Sequence, residues 1–325
     1  MRLSLSIVKL LCASSVLAFG GLPSWGAPIK PDQSPACPCV NIMPDFLTFW
    51  ESAHDRSKPE QIQLFHKLVA DPHPELFNRE VIGYNDSFNL DKTVSDNLER
   101  FMNSIAAIRA VNEDIQHNFP KYQVSFLKIF PDLKCRVAIY FLPSLSAFDG
   151  AVRTVNGRPA ILFGVDQIAR TSGKSELEAL FDHELFHVYH DQKVGSDQGD
   201  SHPPLYNSLW EEGLATYVSH ILNPQLSESA ILGPPIDLAE RSRAQLKSLI
   251  EELQNNFDDT SESTYKRFFL NSRTQTQPPP RSGYYVGFLV VHRLAAKYSL
   301  AELVAFTGKP LRQEVLNVLQ ELSLK

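Results

Sequence analysis

The chain has 325 residues, with 31 Lys and Arg against 37 Asp and Glu, a net charge of −6 and 43% hydrophobic residues. That length holds one large domain or two ordinary ones around a sizeable core. The acidic balance argues against a nucleic-acid binder, 21% charge with 10% aromatics argues against wholesale disorder, and beyond the first residues no apolar run approaches the roughly 18 residues that span a membrane.

Residues 1–26 read as a secretory signal. Arg2 and Lys9 give it a positive start, Leu10 to Phe19 form a short apolar stretch, and Ala18, Gly20, Ser24 and Gly26 offer small-residue cleavage contexts. The mature protein is therefore expected in the periplasm or outside the cell, with no stable membrane insertion once the signal is cleaved. Cys12 leaves with the signal, and Cys37, Cys39 and Cys135 remain. An oxidising compartment favours a bridge from Cys37 or Cys39 to Cys135, with three unpaired thiols as the alternative. Five prolines make residues 27–44 an extended lead-in.

A helical region is predicted over 45–130. Pro59 opens a segment with Ile62, Phe65, Leu68 and Val69 on one face. A longer helix carries Val94, Leu98, Phe101, Ile105, Ile108 and Ile115, and is expected to end before Pro120. The character then changes. RVAIYFL at 136–142 and PAILFGV at 159–165 are strand-like, with Asn156-Gly157 marking a turn between them. From Ser175 onward the pattern is helical again. Few strands among many helices predict an α+β fold, with residues 131–325 forming the second unit.

Chemistry concentrates in LEALFDHELFHVYH at 177–190, which contains His183-Glu184-Leu185-Phe186-His187. Residues four apart share a helix face, so His183 and His187 can bind one tetrahedral Zn2+ with Glu184 beside the open position. Ser175 and Glu178 have the spacing of a capping box for this helix. A second helical segment follows with Trp210-Glu211-Glu212-Gly213-Leu214-Ala215. A carboxylate there completes a His, His, Glu set, and Glu212 is the better ligand because Gly213 removes a side chain next to it. The glycine is expected to let this helix approach the first closely. Asp182 and Thr216 are candidates to accept from the histidines' other ring nitrogens.

HExxH followed by EGxA resembles the gluzincin branch of zincin metallopeptidases, which includes the zinc aminopeptidases. EGLATYVSHILNP further resembles an uncharacterised bacterial family of predicted exported zinc-dependent proteases. The resemblance covers about residues 150–300 and implies a zincin-like fold. In that fold a small, mostly antiparallel sheet packs on the HExxH helix, between a helical N-terminal region and a helical C-terminal subdomain. It also implies His183, His187 and Glu212 as metal ligands, Glu184 as general base and a peptide or protein as substrate. In the aminopeptidases a Tyr-x-x-Gly heads a helix and supplies a transition-state donor. By position that is Tyr284 of Gly283-Tyr284-Tyr285-Val286-Gly287, with Tyr285 as its neighbour. One departure stands out: the Gly-Ala-Met-Glu-Asn strand of the aminopeptidases corresponds here to Gly150-Ala151-Val152-Arg153-Thr154, which lacks the amine-binding Glu. Aminopeptidase specificity is not expected, although the segment can still act as an edge strand for an extended peptide.

Weaker signals compete with this reading. His190 shares the face of His183 and His187. Gly173-Lys174-Ser175 mimics the end of a phosphate loop, but Ile168 stands where its first glycine belongs. Asp197, Asp200 and Glu211 offer carboxylates to calcium without a recognised spacing, and Asn85-Asp86-Ser87 is a formal glycosylation acceptor. Two other functions remain open: an inactive zincin-fold binding module, and a zinc hydrolase of a non-peptide amide or ester.

Overall fold

The computed structural model describes residues 37–83, 88–171, 173–195, 203–272 and 274–324. Residues 1–26, read above as a signal, residues 27–36 of the proline-rich lead-in, Asn85, Asp197 and Asp200 lie outside them. A short strand β1 (Cys39–Asn41) leads into α1 (Met43–Ala53), which carries a proline in its first turn. Next, α2 (Lys58–Phe65) starts on a capping box between Ser57 and Glu60 and continues through a π-turn at His66–Ala70. Phe65 and Val69 reach the core as their spacing predicts.

Helix α3 (Leu90–Ile129) opens on Asn89, whose side chain accepts from the Lys92 amide, and continues past Pro120 instead of ending before it. Pro120 and Gln116, whose carbonyl loses its partner, are both on the exposed face, while Phe119 and Phe126 are buried opposite. Burying two phenylalanines contributes about 3–6 kcal/mol, enough to offset the roughly 3 kcal/mol cost of an interior proline. Packing overrides the breaker.

The sheet adds β2 (Ala138–Leu142), β3 (Gly150–Val155) and β4 (Arg158–Gly164) in the order β1-β2-β4-β3. β1 pairs with β2 and β2 with β4 in parallel, and only β3 and β4 are antiparallel. The sheet is thus mixed, which corrects the expectation of mostly antiparallel pairing. The chain leaves β1 and returns through α3, so β2 lies beside it in the same direction. Asn156 and Gly157, both at positive φ, close the β3–β4 hairpin. β4 is buried from Ala160 to Gly164, as a parallel strand covered on both sides should be. A disulfide from Cys37 to Cys135, 98 residues apart, ties the start of β1 to the approach to β2; Cys39 is free and exposed. Closing a loop of that length stabilises by about 4–5 kcal/mol in the chain-entropy account.

The rest of the chain is helical: α4 (Val165–Thr171), α5 (Leu177–Val194), α6 (Leu205–Leu222), α7 (Glu228–Leu232), α8 (Leu238–Ala244), α9 (Leu246–Asn255), α10 (Glu262–Phe269), α11 (Ser282–Leu294), α12 (Leu300–Val304) and α13 (Gly308–Ser323). A 3-10 turn at Lys174–Glu176 enters α5, so Glu176 takes the cap position and the expected Ser175 box does not form. Phe181 of α5 meets Phe119 of α3 at 4.8 Å between ring centroids, and Phe119 meets Phe141 of β2 at the same distance. Phe163 of β4 lies 6.3 Å from Phe181. This aromatic cluster seats α5 on α3 and the sheet, each edge-to-face pair adding about 0.5–1.5 kcal/mol to the area it buries. The buried hydrophobic cluster is continuous from Cys37 to Leu322.

Candidate metal centre

Two helices that cross deliver the three ligand candidates. On α5, His183 and His187 stand one turn apart, and their Nε2 atoms come within 3.2 Å. On α6, Glu212 points its Oε2 to 3.2 Å from His183 Nε2 and 3.5 Å from His187 Nε2. Tetrahedral zinc with bonds of about 2.0–2.1 Å requires ligand atoms about 3.3–3.4 Å apart. The three separations bracket that edge, so the donor set fits zinc in both chemistry and spacing. Among the described residues this trio is the one His, Cys, Asp and Glu group gathered closely enough to hold a metal.

Long-range contacts fix the crossing. Ser219 Oγ of α6 donates to the Ala179 carbonyl of α5 at 2.7 Å, and Asn223 Nδ2 donates to Asp182 Oδ2 at 2.8 Å. Asp182 thus ties α5 to the end of α6, whereas Thr216 Oγ1 donates within its own helix to the Glu212 carbonyl, 2.7 Å away. Gly213 also acts differently from the expectation. A Cβ there would run into the backbone of Gly287, so the glycine brings α6 against α11, not against α5.

Electrostatics follow from crowding acids and imidazoles out of water. Burial disfavours the Glu212 carboxylate, yet His187 and His183 hold it far below the usual carboxylate range. Burial likewise disfavours a charged His187, but Glu212 lifts it to about 9. Glu184 is raised by burial, with His183 and His187 pulling the other way. Burial sends Asp182 up to about 8. His190 stands apart from the trio: it is buried, stacks on Phe186 at 5.9 Å, and burial takes it down to about 4. Glu211 is likewise apart, its Oε1 accepting from Asn207 at 3.0 Å.

Around the trio the structure sets Tyr284 and two features that sequence reasoning missed. The Tyr284 ring lies 6.0 Å from that of His183, and burial, then Glu212, push its phenol well above 10. Tyr285 is buried on another side, under Arg243 at 5.7 Å. Tyr265 of α10, raised by burial and by Glu212 and Glu184, is a second phenol in the field of the site and belongs to no motif. Gly150, the first residue of β3, abuts Glu184: a Cβ there would stand 2.7 Å from Glu184 Oε1.

The placement of β3 depends on the loop before it. Asp166 of α4 is buried and accepts from Ser144 N at 2.5 Å, Ser144 Oγ at 2.9 Å and Ser146 N at 2.8 Å. Burial pushes its pKa up, and these donors pull it back. Asn97 of α3 donates to the Leu145 carbonyl at 3.0 Å and accepts from Ser146 Oγ at 2.6 Å. Leu145 and Ser146, at φ 55° and 63°, hold a conformation that these partners over-determine.

No curated protein and no solved structure matches the chain. A family model described as "Putative zinc dependent peptidase (DUF5700)" matches residues 63–313, a span that includes α5, α6 and α11. Zinc is the cofactor that description gives and the one the trio's spacing accommodates, and peptides or proteins are the substrates of such a family. With most of its length inside the match, the chain belongs to this family of zinc-dependent peptidases.

Proposed function

We propose that the protein is a gluzincin-type, zincin-like peptidase, exported by its N-terminal signal, that hydrolyses internal peptide bonds. In this reading His183, His187 and Glu212 hold the zinc, and the helical region 45–130 supports a catalytic unit over 131–325 through α3. The observation that carries it is the contact between Gly150 and Glu184, 2.7 Å from a would-be Cβ to Oε1, which brings an edge strand directly against the candidate general base. β3 pairs on one side with β4 and forms the end of the sheet, so an extended peptide adding to its outer edge would lay its carbonyls past Glu184.

When bound, zinc supplies Lewis-acid polarisation and brings the pKa of a water to about 7. The chain's own residues do the rest. Glu184 takes a proton from the attacking water and returns it to the leaving amine. Tyr284 donates its hydroxyl proton in a hydrogen bond to the developing oxyanion, a contribution worth about 10²–10³ in rate. The strand Gly150–Thr154 carries no glutamate at the place where the aminopeptidases hold a free amino terminus, which favours cleavage within a peptide.

The test compares zinc content and casein or quenched-peptide hydrolysis in the wild type and Glu184→Gln. Zinc retained in both, with turnover down by about 10²–10⁴ in the variant, is expected. A zinc-loaded wild type inert on a broad peptide panel would overturn the reading in favour of a binding module or a hydrolase of other amides or esters.

A further inference from the structure

Arg281 caps α11 from the left-handed region, at φ 62° and ψ 14°. Its Nη1 donates to the Pro234 carbonyl, and its guanidinium lies over the Tyr284 ring, with Cζ 4.3 Å from the centroid. Tyr284 in turn neighbours His183, so this cation stands one ring away from the candidate metal ligands. Arg243 offers an instructive contrast. It lies over Tyr285 in the same manner, but Glu228 pairs with it at 2.8 Å. No carboxylate pairs with Arg281 among the described residues. A guanidinium has five N–H donors in a planar fork that matches a carboxylate. Gly233 places no side chain against the guanidinium, where a Cβ would stand 3.3 Å from Nη1 and 3.8 Å from Nη2, and Arg281 itself is only partly buried. Tyr284 holds the guanidinium on one face, Pro234 takes one donor, and among the described residues no other hydrogen bond of the Arg281 side chain is found.

We propose that Arg281 is a specificity-determining residue that binds a carboxylate of the peptide substrate, either the C-terminal carboxylate or an Asp or Glu side chain beyond the cleaved bond. This rests on the peptidase reading above. The competing role, a mere support for the Tyr284 ring, requires the cation but no carboxylate.

The test measures binding and cleavage separately. Binding is read by fluorescence anisotropy on the zinc-loaded mature chain carrying Glu184→Gln. The probes are a fluorescein-labelled oligoalanine hexapeptide with a free C-terminal carboxylate, its C-terminal amide, and two further amides with Glu or Gln at the penultimate position. One charge-assisted contact predicts that an acid binds about 10–100-fold more tightly than its neutral match. Arg281→Gln is expected to bring that ratio to within about two-fold, and Arg281→Lys to keep part of it by retaining the charge. The terminal pair and the side-chain pair tell the two sources apart. A ratio near one in the parent protein, a ratio that survives Arg281→Gln, or no binding of any probe overturns the proposal. Cleavage of the same peptides by the chain with Glu184 intact is scored independently. Cleavage without acid preference sinks the carboxylate anchor and leaves the peptidase standing. Acid-selective binding without cleavage does the reverse.

Discussion

The two walls of the candidate metal centre are built by different means. The helical wall, α5, α6 and α11, sets its side chains by local periodicity: His183 and His187 by one turn of α5, Tyr284 and Gly287 by nearly one turn of α11. The sheet wall has no such period. Gly150 reaches Glu184 only because a buried aspartate, an asparagine on α3 and two left-handed residues hold the preceding loop in one shape. A helix places functional groups cheaply and repeatedly, whereas a strand end needs a dedicated polar network to be placed once.

That difference can be broken at its strongest point first. Glu212→Ala should reduce zinc affinity by more than the roughly 10–100-fold that losing a supporting partner costs, while Glu211→Ala should leave it within a few-fold; competition with a chelating dye reads both. Equal affinity in Glu212→Ala would remove α6 from the metal centre. Next in size is Gly213→Ala, which drives a methyl into the Gly287 backbone and should cost about 3 kcal/mol or more, read as a lowered melting temperature and poor zinc retention. On the sheet wall, Asp166→Asn deprives the buried Ser144 amide and the half-buried Ser146 amide of full acceptors and should cost about 2 kcal/mol. Peptide turnover should fall while zinc affinity stays at the wild-type value; a joint loss of both would mean the walls are not separable. The smallest effect on the site is expected from Pro120→Ala, which restores one helix hydrogen bond on the exposed face of α3. It should raise stability, by up to about 3 kcal/mol, visible by denaturant melting, with peptide turnover unchanged.

The same contrast explains what was legible in the sequence. His183 and His187 announce themselves because a helix turns their four-residue spacing into a shared face, Glu184 comes with them as part of the same motif, and Glu212 follows from a second helical segment. Tyr284 is legible only through its resemblance to a motif, and the structure then separates it from Tyr285 by which of them neighbours His183. The α+β class was readable from the strand-like runs, but parallel pairing was not, since it depends on where α3 returns the chain. Nor was the passage of α3 through Pro120, where Phe119 and Phe126 outweigh a local rule. Tyr265, Arg281 and Asp166 carry no local signature at all. Their importance comes from partners dozens of residues away, as when Arg281 meets Pro234 or Asp166 meets Ser144.

The glycine-to-glycine crossing also has a mechanical meaning. Where the two backbones touch, α6 and α11 meet through atoms that have no rotamer to yield, so the spacing between Glu212 and Tyr284 is set by the main chain itself.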